Sequence, residues 1–108
     1  MSEDLAPKRV AELLGEGETQ LVDVREPYEH DAGRISGATH IELERLPAEA
    51  EALDRERRLV FYCRSGSRSA LAAEAFRAAG YDAYNMDGGL KAWVASGLPI
   101  EPADGRVA

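Results

Sequence analysis

Apolar residues along this chain come in short runs whose spacing switches between that of a helix and that of a strand. Pro7 stands where a helix can begin, Val10, Leu13 and Leu14 form a stripe at helical spacing, and Gly15 is placed to stop it, which predicts a helix over 7–14. Leu21-Val22-Asp23-Val24 is a β-branched run suited to a strand covered on both faces. Residues 25–38 are polar and carry Pro27, Gly33 and Gly37, so they predict a long ordered loop that leads into a short strand at Thr39-His40-Ile41. Pro47 precedes a second helix over 48–53, with Leu46 and Leu53 turned inward. Leu59-Val60-Phe61-Tyr62 is the most apolar strand and ends at Cys63. The Ala-rich stretch 70–79 predicts a helix stopped at Gly80. Tyr81 to Met86 then predicts a strand, Gly88-Gly89 a turn, and Leu90 to Ala95 a last helix closed by Gly97.

Strands that alternate with helices in this way specify an α/β fold with a mostly parallel sheet, and such sheets place their sites beyond the carboxyl ends of the strands. Cys63 occupies one of those ends. No repeat, low-complexity tract or linker breaks the pattern, so residues 1–108 are expected to form one domain.

Composition narrows the chemistry. The chain is 44% hydrophobic and 31% charged, enough for one apolar core, and its net charge of −7 argues against nucleic acid and anionic membranes as partners. No window holds the roughly 18 consecutive apolar residues of a membrane span. The acidic start Met1-Ser2-Glu3-Asp4-Leu5 lacks the basic and apolar pattern of a secretory signal, so a cytoplasmic protein is expected. Cys63 is the only cysteine, which excludes an internal disulfide, a CxxC redox pair and a Cys-rich zinc site. His30 and His40 are too far apart in sequence for a local metal motif, and neither a metal nor a cofactor is expected.

The segment Cys63-Arg64-Ser65-Gly66-Ser67-Arg68-Ser69 lies between a buried strand and an Ala-rich helix. Its small residues let the backbone curl so that successive N–H groups point inward, and the helix N-terminus adds partial positive charge. A thiol at the base of this cradle should ionise readily, because amides, helix dipole and two arginines all favour the thiolate. Cys63 is therefore expected to be nucleophilic and open to a visiting anion. A lone cysteine is more often a small buried hydrophobe, but the polar residues that follow it cannot continue a core.

These residues, together with three other segments, resemble a single rhodanese (sulfurtransferase) domain. Asp23-Val24-Arg25-Glu26-Pro27 with Glu29, Gly33-Arg34-Ile35-Ser36-Gly37-Ala38, the Cys63–Ser69 loop, and Asp87-Gly88-Gly89-Leu90-Lys91-Ala92-Trp93 followed by Gly97-Leu98-Pro99 are similar to that family's four ordered motifs. Arg34 stands where the family commonly has His, and Ser36 where it commonly has Pro.

The resemblance implies a rhodanese-like fold: a central sheet of about five short strands with helices on both faces. It also implies transfer of a sulfane sulfur through a persulfide on Cys63, from a small anionic donor such as thiosulfate to a thiol, cyanide or protein acceptor. Arg64 and Arg68 are expected to steer the donor, and the hydroxyls of Ser67 and Ser69, with the amides of the loop including Ser65 and Gly66, to hold the charged sulfur. Related phosphatases of the same fold have one residue more between Cys and Arg, and so a wider ring; the four intervening residues here suit sulfur better than phosphate. Two alternatives belong to other classes: a non-catalytic rhodanese-like binding module, which would not need Cys63 with both arginines, and a single-Cys redox sensor, which would need an external thiol to resolve it.

Beyond the loop, Asp23 and Arg25 at the end of a buried strand are expected to brace the site as an ion pair, and Glu29 to fix the long loop by hydrogen bonds rather than to act as a base. His40 is expected to be structural and His30 exposed; Trp93 should be core with its N–H bonded. Tyr62 should face away from Cys63, and Gly88-Gly89 should turn tightly beside the reactive loop.

Overall fold

The structure is a computed structural model that describes residues 3–108; Met1 and Ser2, the first part of the acidic start, lie outside the described residues. Five strands form one parallel sheet: β1 Asp4–Leu5, β2 Thr19–Asp23, β3 Thr39–His40, β4 Arg58–Tyr62 and β5 Ala83–Met86, in the order β1-β5-β4-β2-β3. β4 is the middle strand, and its register pairs Val22 with Phe61 on one side and Phe61 with Asn85 on the other. Among the described residues no helix is long and apolar enough to cross a membrane.

Because side chains alternate along a strand, β4 feeds two cores at once. Leu59, Phe61 and Cys63 join Val22, Val24, Leu46 and Phe76 on one face, while Val60 and Tyr62 join Val10, Leu21, Leu90 and Trp93 on the other. Helices α3 Leu46–Glu49 and α4 Ser67–Ala78 cover the first face; α1 Pro7–Glu16 and α5 Gly89–Ala95 cover the second. Helices on both faces of a parallel sheet, as expected, leave the carboxyl edge of the strands open to the loops.

β2 starts two residues earlier than expected and β5 two residues later, and four further local readings change. Helix α1 passes through Gly15 and ends at Gly17, whose φ of 83° supplies the left-handed turn. Residues 25–38 are not all loop: α2, Pro27–Ala32, begins with Glu26 and Glu29 bonding reciprocally across the first turn and Pro27 preset for a helix start. The helix expected over 48–53 is only four residues, Leu46–Glu49, flanked by 3-10 turns at Leu43–Arg45 and Ala50–Ala52, because the buried Leu46 and Leu53 anchor the two ends of the segment and little anchors its middle. Helix α4 starts at Ser67 rather than Ala70, which draws Ser67, Arg68 and Ser69 into its first turn. The edge strand β1 is an addition: two residues are too few to show a period.

Candidate active site

The site is built where β4 stops and α4 begins. Gly66 takes a φ of 107°, a left-handed conformation, and a Cβ there would also stand 3.3 Å from the Gly88 nitrogen. This turn aims the Gly66 N–H at Cys63 Sγ, 3.1 Å away, and Ser69 Oγ lies 3.3 Å from the same sulfur. On the other side, α5 closes against the loop: Leu90 N–H donates to the Cys63 carbonyl at 2.8 Å and Lys91 N–H to the Arg64 carbonyl at 3.1 Å. Gly89 makes that approach possible, since a Cβ at this position would come within 2.6 Å of the Cys63 and Arg64 carbonyl atoms. The Gly88-Gly89 turn thus holds the Cys63–Ser69 loop from behind.

Burial alone would push the Cys63 thiol up, yet it sits below the ordinary thiol range. The Ser69 hydroxyl and the amides of Ser69, Gly66 and Ser65 all favour the charged sulfur and together outweigh the desolvation. The sulfur is not open, however. Cys63 is fully buried at the base of the turn, against the expectation of an exposed nucleophile, because Gly66 packs on Gly88 and the loop carbonyls pack on α5.

The remaining loop residues divide by contact. Arg68 is clamped by Glu29 of α2, Nη1 to Oε1 at 2.7 Å and Nη2 to Oε2 at 2.8 Å, and this pairing raises the basicity of Arg68 and lowers the pKa of Glu29. Arg64 is exposed and donates from Nε to the Ala108 carbonyl at 3.1 Å. Ser65 and Ser67 are exposed. Of the side chains predicted to touch the sulfur, only Ser69 makes a hydrogen bond to it.

Asp23 and Arg25 form a fully buried bidentate pair, Nε to Oδ1 at 2.9 Å and Nη2 to Oδ2 at 2.7 Å. Burial opposes charge on both, but the pairing wins: Asp23 is held below and Arg25 above its ordinary value. The pair's other bonds run to the Gly33 carbonyl, His30 Nδ1 and the Tyr62 hydroxyl, not to residues 64–69. Tyr62 also accepts the Ile35 N–H, and burial followed by the Asp23 charge pushes its phenol well up. His30 is half-buried rather than exposed: it bonds Asp23 and stacks on His40, ring centroids 4.3 Å apart, while His40 Nε2 donates to the Arg25 carbonyl. The atypical Arg34 caps α2 by donating to the His30 carbonyl. Trp93 is buried and bonds the Pro99 carbonyl.

Sequence reasoning missed Asn85 of β5, whose Oδ1 accepts from Ser69 Oγ and whose Nδ2 donates to Asp4 Oδ1 at 3.1 Å. The available signal was an asparagine inside an apolar strand, which must find partners once buried.

Residues 6–96 match the rhodanese-like domain family. A sulfurtransferase of Allochromatium vinosum is 37% identical over 86 residues, 79% of this chain and 80% of that protein. The thiosulfate sulfurtransferase GlpE of Pseudomonas aeruginosa is 36% identical over 101 residues, 93% of this chain and 87% of the relative. A rhodanese-related protein of Thermoplasma volcanium superposes with a TM-score of 0.84 at 27% identity, covering 90% of this chain and 95% of that one. Relatives so named support a sulfurtransferase role. A parallel five-stranded sheet, a cysteine cradled where its middle strand meets a helix, and these matches place the chain in the rhodanese-like family.

Proposed function

We propose that residues 1–108 act as one domain and move a sulfane sulfur from thiosulfate, or a donor like it, to a nucleophilic acceptor through a persulfide on Cys63. The observation that carries this reading is the convergence of the Gly66 amide and the Ser69 hydroxyl on one sulfur at the start of a twelve-residue helix. In the first half-reaction the Cys63 thiolate attacks the outer sulfur of thiosulfate, a new S–S bond forms, and sulfite leaves with the electrons of the old one. In the second, a thiol or cyanide attacks the outer sulfur of the persulfide, and Sγ departs as the thiolate, so no external oxidant or reductant enters.

The roles divide along the contacts. The amides of Ser65, Gly66 and Ser69 hold the charge on sulfur, and the exposed Arg64, with the outward Ser67, meets the donor. Arg68 shapes the loop through Glu29, while Asp23 and Arg25 set the neighbouring turn from behind. A thiol that must stay unpaired fits a reducing compartment, so a cytoplasmic setting belongs to the same proposal. The burial of Sγ adds a requirement: the cup at residues 64–66 gives way for a small anion.

Intact mass after thiosulfate, then after cyanide, tests the reading. Gain of one sulfur atom, lost with cyanide and absent in Cys63→Ser, is expected; an unmodified protein would overturn it in favour of a binding module. Turnover of an aryl phosphate equal to that of thiosulfate, and lost in Cys63→Ser, would favour a phosphatase instead.

A further inference from the structure

The Ser69 hydroxyl has one proton and two claimants. Its oxygen lies 3.3 Å from Cys63 Sγ and makes a short hydrogen bond with Asn85 Oδ1. The orientation of the Asn85 amide is fixed from its far side: Asp4 Oδ1 is a carboxylate oxygen and only accepts, so Nδ2 must face it and Oδ1 must face Ser69. Both Ser69 and Asn85 are buried, so neither can call on bulk water for a substitute partner. We propose that Asn85 is a positioning residue that competes with Cys63 for the Ser69 proton and thereby governs how readily the reactive sulfur becomes a thiolate.

The proposal rests on Cys63 being the reactive sulfur. With Cys63 as a thiol, S–H donates to Ser69 Oγ, the hydroxyl donates to Asn85 Oδ1, and Asn85 Nδ2 donates to Asp4, a chain in which every donor has an acceptor. When the thiol loses its proton to solvent, the hydroxyl must turn toward the charged sulfur, where its bond is stronger, and Oδ1 is left facing an oxygen lone pair. Ionisation therefore carries a local penalty that the Gly66 amide, already aimed at the sulfur, does not impose. The same rotor follows the sulfur cycle. In the persulfide the charge moves to the outer sulfur, Sγ no longer holds it, and the hydroxyl returns to Asn85; when Sγ leaves as a thiolate, the hydroxyl turns back.

Charged groups around the loop include, among the described residues, Arg64, Arg68 with Glu29 from α2, Glu26 at the start of that helix, Lys91 in α5, Asp87 in the turn before it, and Asp4 from β1. Their fields act on the sulfur whether or not Ser69 carries a hydroxyl, and this separates them from the rotor.

The test is the pH titration of thiolate absorbance, together with the pH dependence of alkylation by iodoacetamide, neither of which needs a sulfur donor. Asn85→Leu removes the competing acceptor without changing charge, and the Cys63 titration is expected to move down by about one pH unit, or about tenfold more thiolate on its lower limb. In a Ser69→Ala background the same replacement is expected to do nothing. If Asn85→Leu does not fold, Asp4→Ala serves: it releases the amide to turn Nδ2 toward Ser69, and the part of its shift that disappears in Ser69→Ala is the relay, the part that persists the lost charge. An unchanged titration in Asn85→Leu, a shift that survives in Ser69→Ala, or an Asp4→Ala shift that persists there in full would overturn the proposal. Mass analysis of persulfide on the same samples keeps the two questions apart, since a parent protein that takes up no sulfur would sink the function but leave the titration readable.

Discussion

Two arginine–carboxylate pairs stand at the carboxyl edge of the sheet, both bidentate and with nearly the same distances. Asp23–Arg25 is fully buried on both sides, whereas in Glu29–Arg68 the carboxylate is buried but a third of the arginine side chain is exposed. The first pair is local in sequence and its other bonds gather the turn at Gly33, the ring of His30 and the hydroxyl of Tyr62. The second joins residues 39 apart and ties α2 to the first turn of α4, next to the sulfur. Similar geometry therefore serves opposite ends: one pair replaces water inside the fold, the other holds a charge in place beside the Cys63–Ser69 loop. The contrast also means that Arg68 is a paired cation, held beside the loop by Glu29 rather than free to swing toward a ligand.

The largest effect should come from breaking the buried pair. Asp23→Ala leaves the Arg25 guanidinium buried without a counter-charge and takes an acceptor from Tyr62 and His30. A loss of about 3–5 kcal/mol in urea unfolding is expected. No hydrogen bond of the pair reaches residues 64–69, so the cradle should stay intact and the Cys63 thiolate titration should move only downward, under the uncompensated charge of Arg25. A stable variant with a raised titration would reverse the roles assigned to the two pairs.

Glu29→Gln should cost less and do more to the sulfur. The amide keeps a carbonyl for the Glu26 N–H but loses the charge that holds Arg68, and because Arg68 is partly solvated a loss of about 1–2 kcal/mol is expected. Removing one negative charge beside the loop should lower the pH at which Cys63 ionises, opposite to what mere loosening of the cradle would do. A rise in that titration would show that Glu29 acts only as a brace.

The buried pair and the loop pair also differ in how far they could be read from the sequence. β2, β4 and most of α4 announce themselves by period and apolar content, and Cys63 followed by small polar residues marks the site. Asp23 and Arg25 stand next to a strand end and were legible as an ion pair, but its further bonds go to Gly33, His30 and Tyr62 rather than to the loop it was expected to brace. Glu29–Arg68 was not, because its partners meet only when α2 folds, and α2 has no apolar stripe: the residue it buries is Glu29 itself. Its start was written in Glu26, Pro27 and Glu29, a capping signal inside a stretch that composition marks as loop. Asn85 and the burial of Sγ depend on β5 and α5 packing beside the loop, contacts between segments that no local pattern encodes.

The smallest effect, and the one that separates the pairs within a single curve, is the loss of stability in acid. Arg68 holds Glu29 below its usual range, and Asp23, despite its burial, is held below its own by Arg25. In the window beneath the ordinary carboxylate values the unfolded chain takes up protons that the folded chain refuses. Stability therefore falls as pH falls, and each contribution is gone once the pH passes below the folded value. Glutamate's ordinary value is the higher, so the upper part of the decline belongs to Glu29 and the lower part to Asp23. Urea unfolding measured from about pH 5 to about pH 3 should thus show a shallower upper slope in Glu29→Gln than in the parent, with the lower slope retained. If the two proteins decline in parallel, the solvated half of the Glu29–Arg68 pair has already cancelled its contribution to stability, and its role is confined to placing charge at the loop.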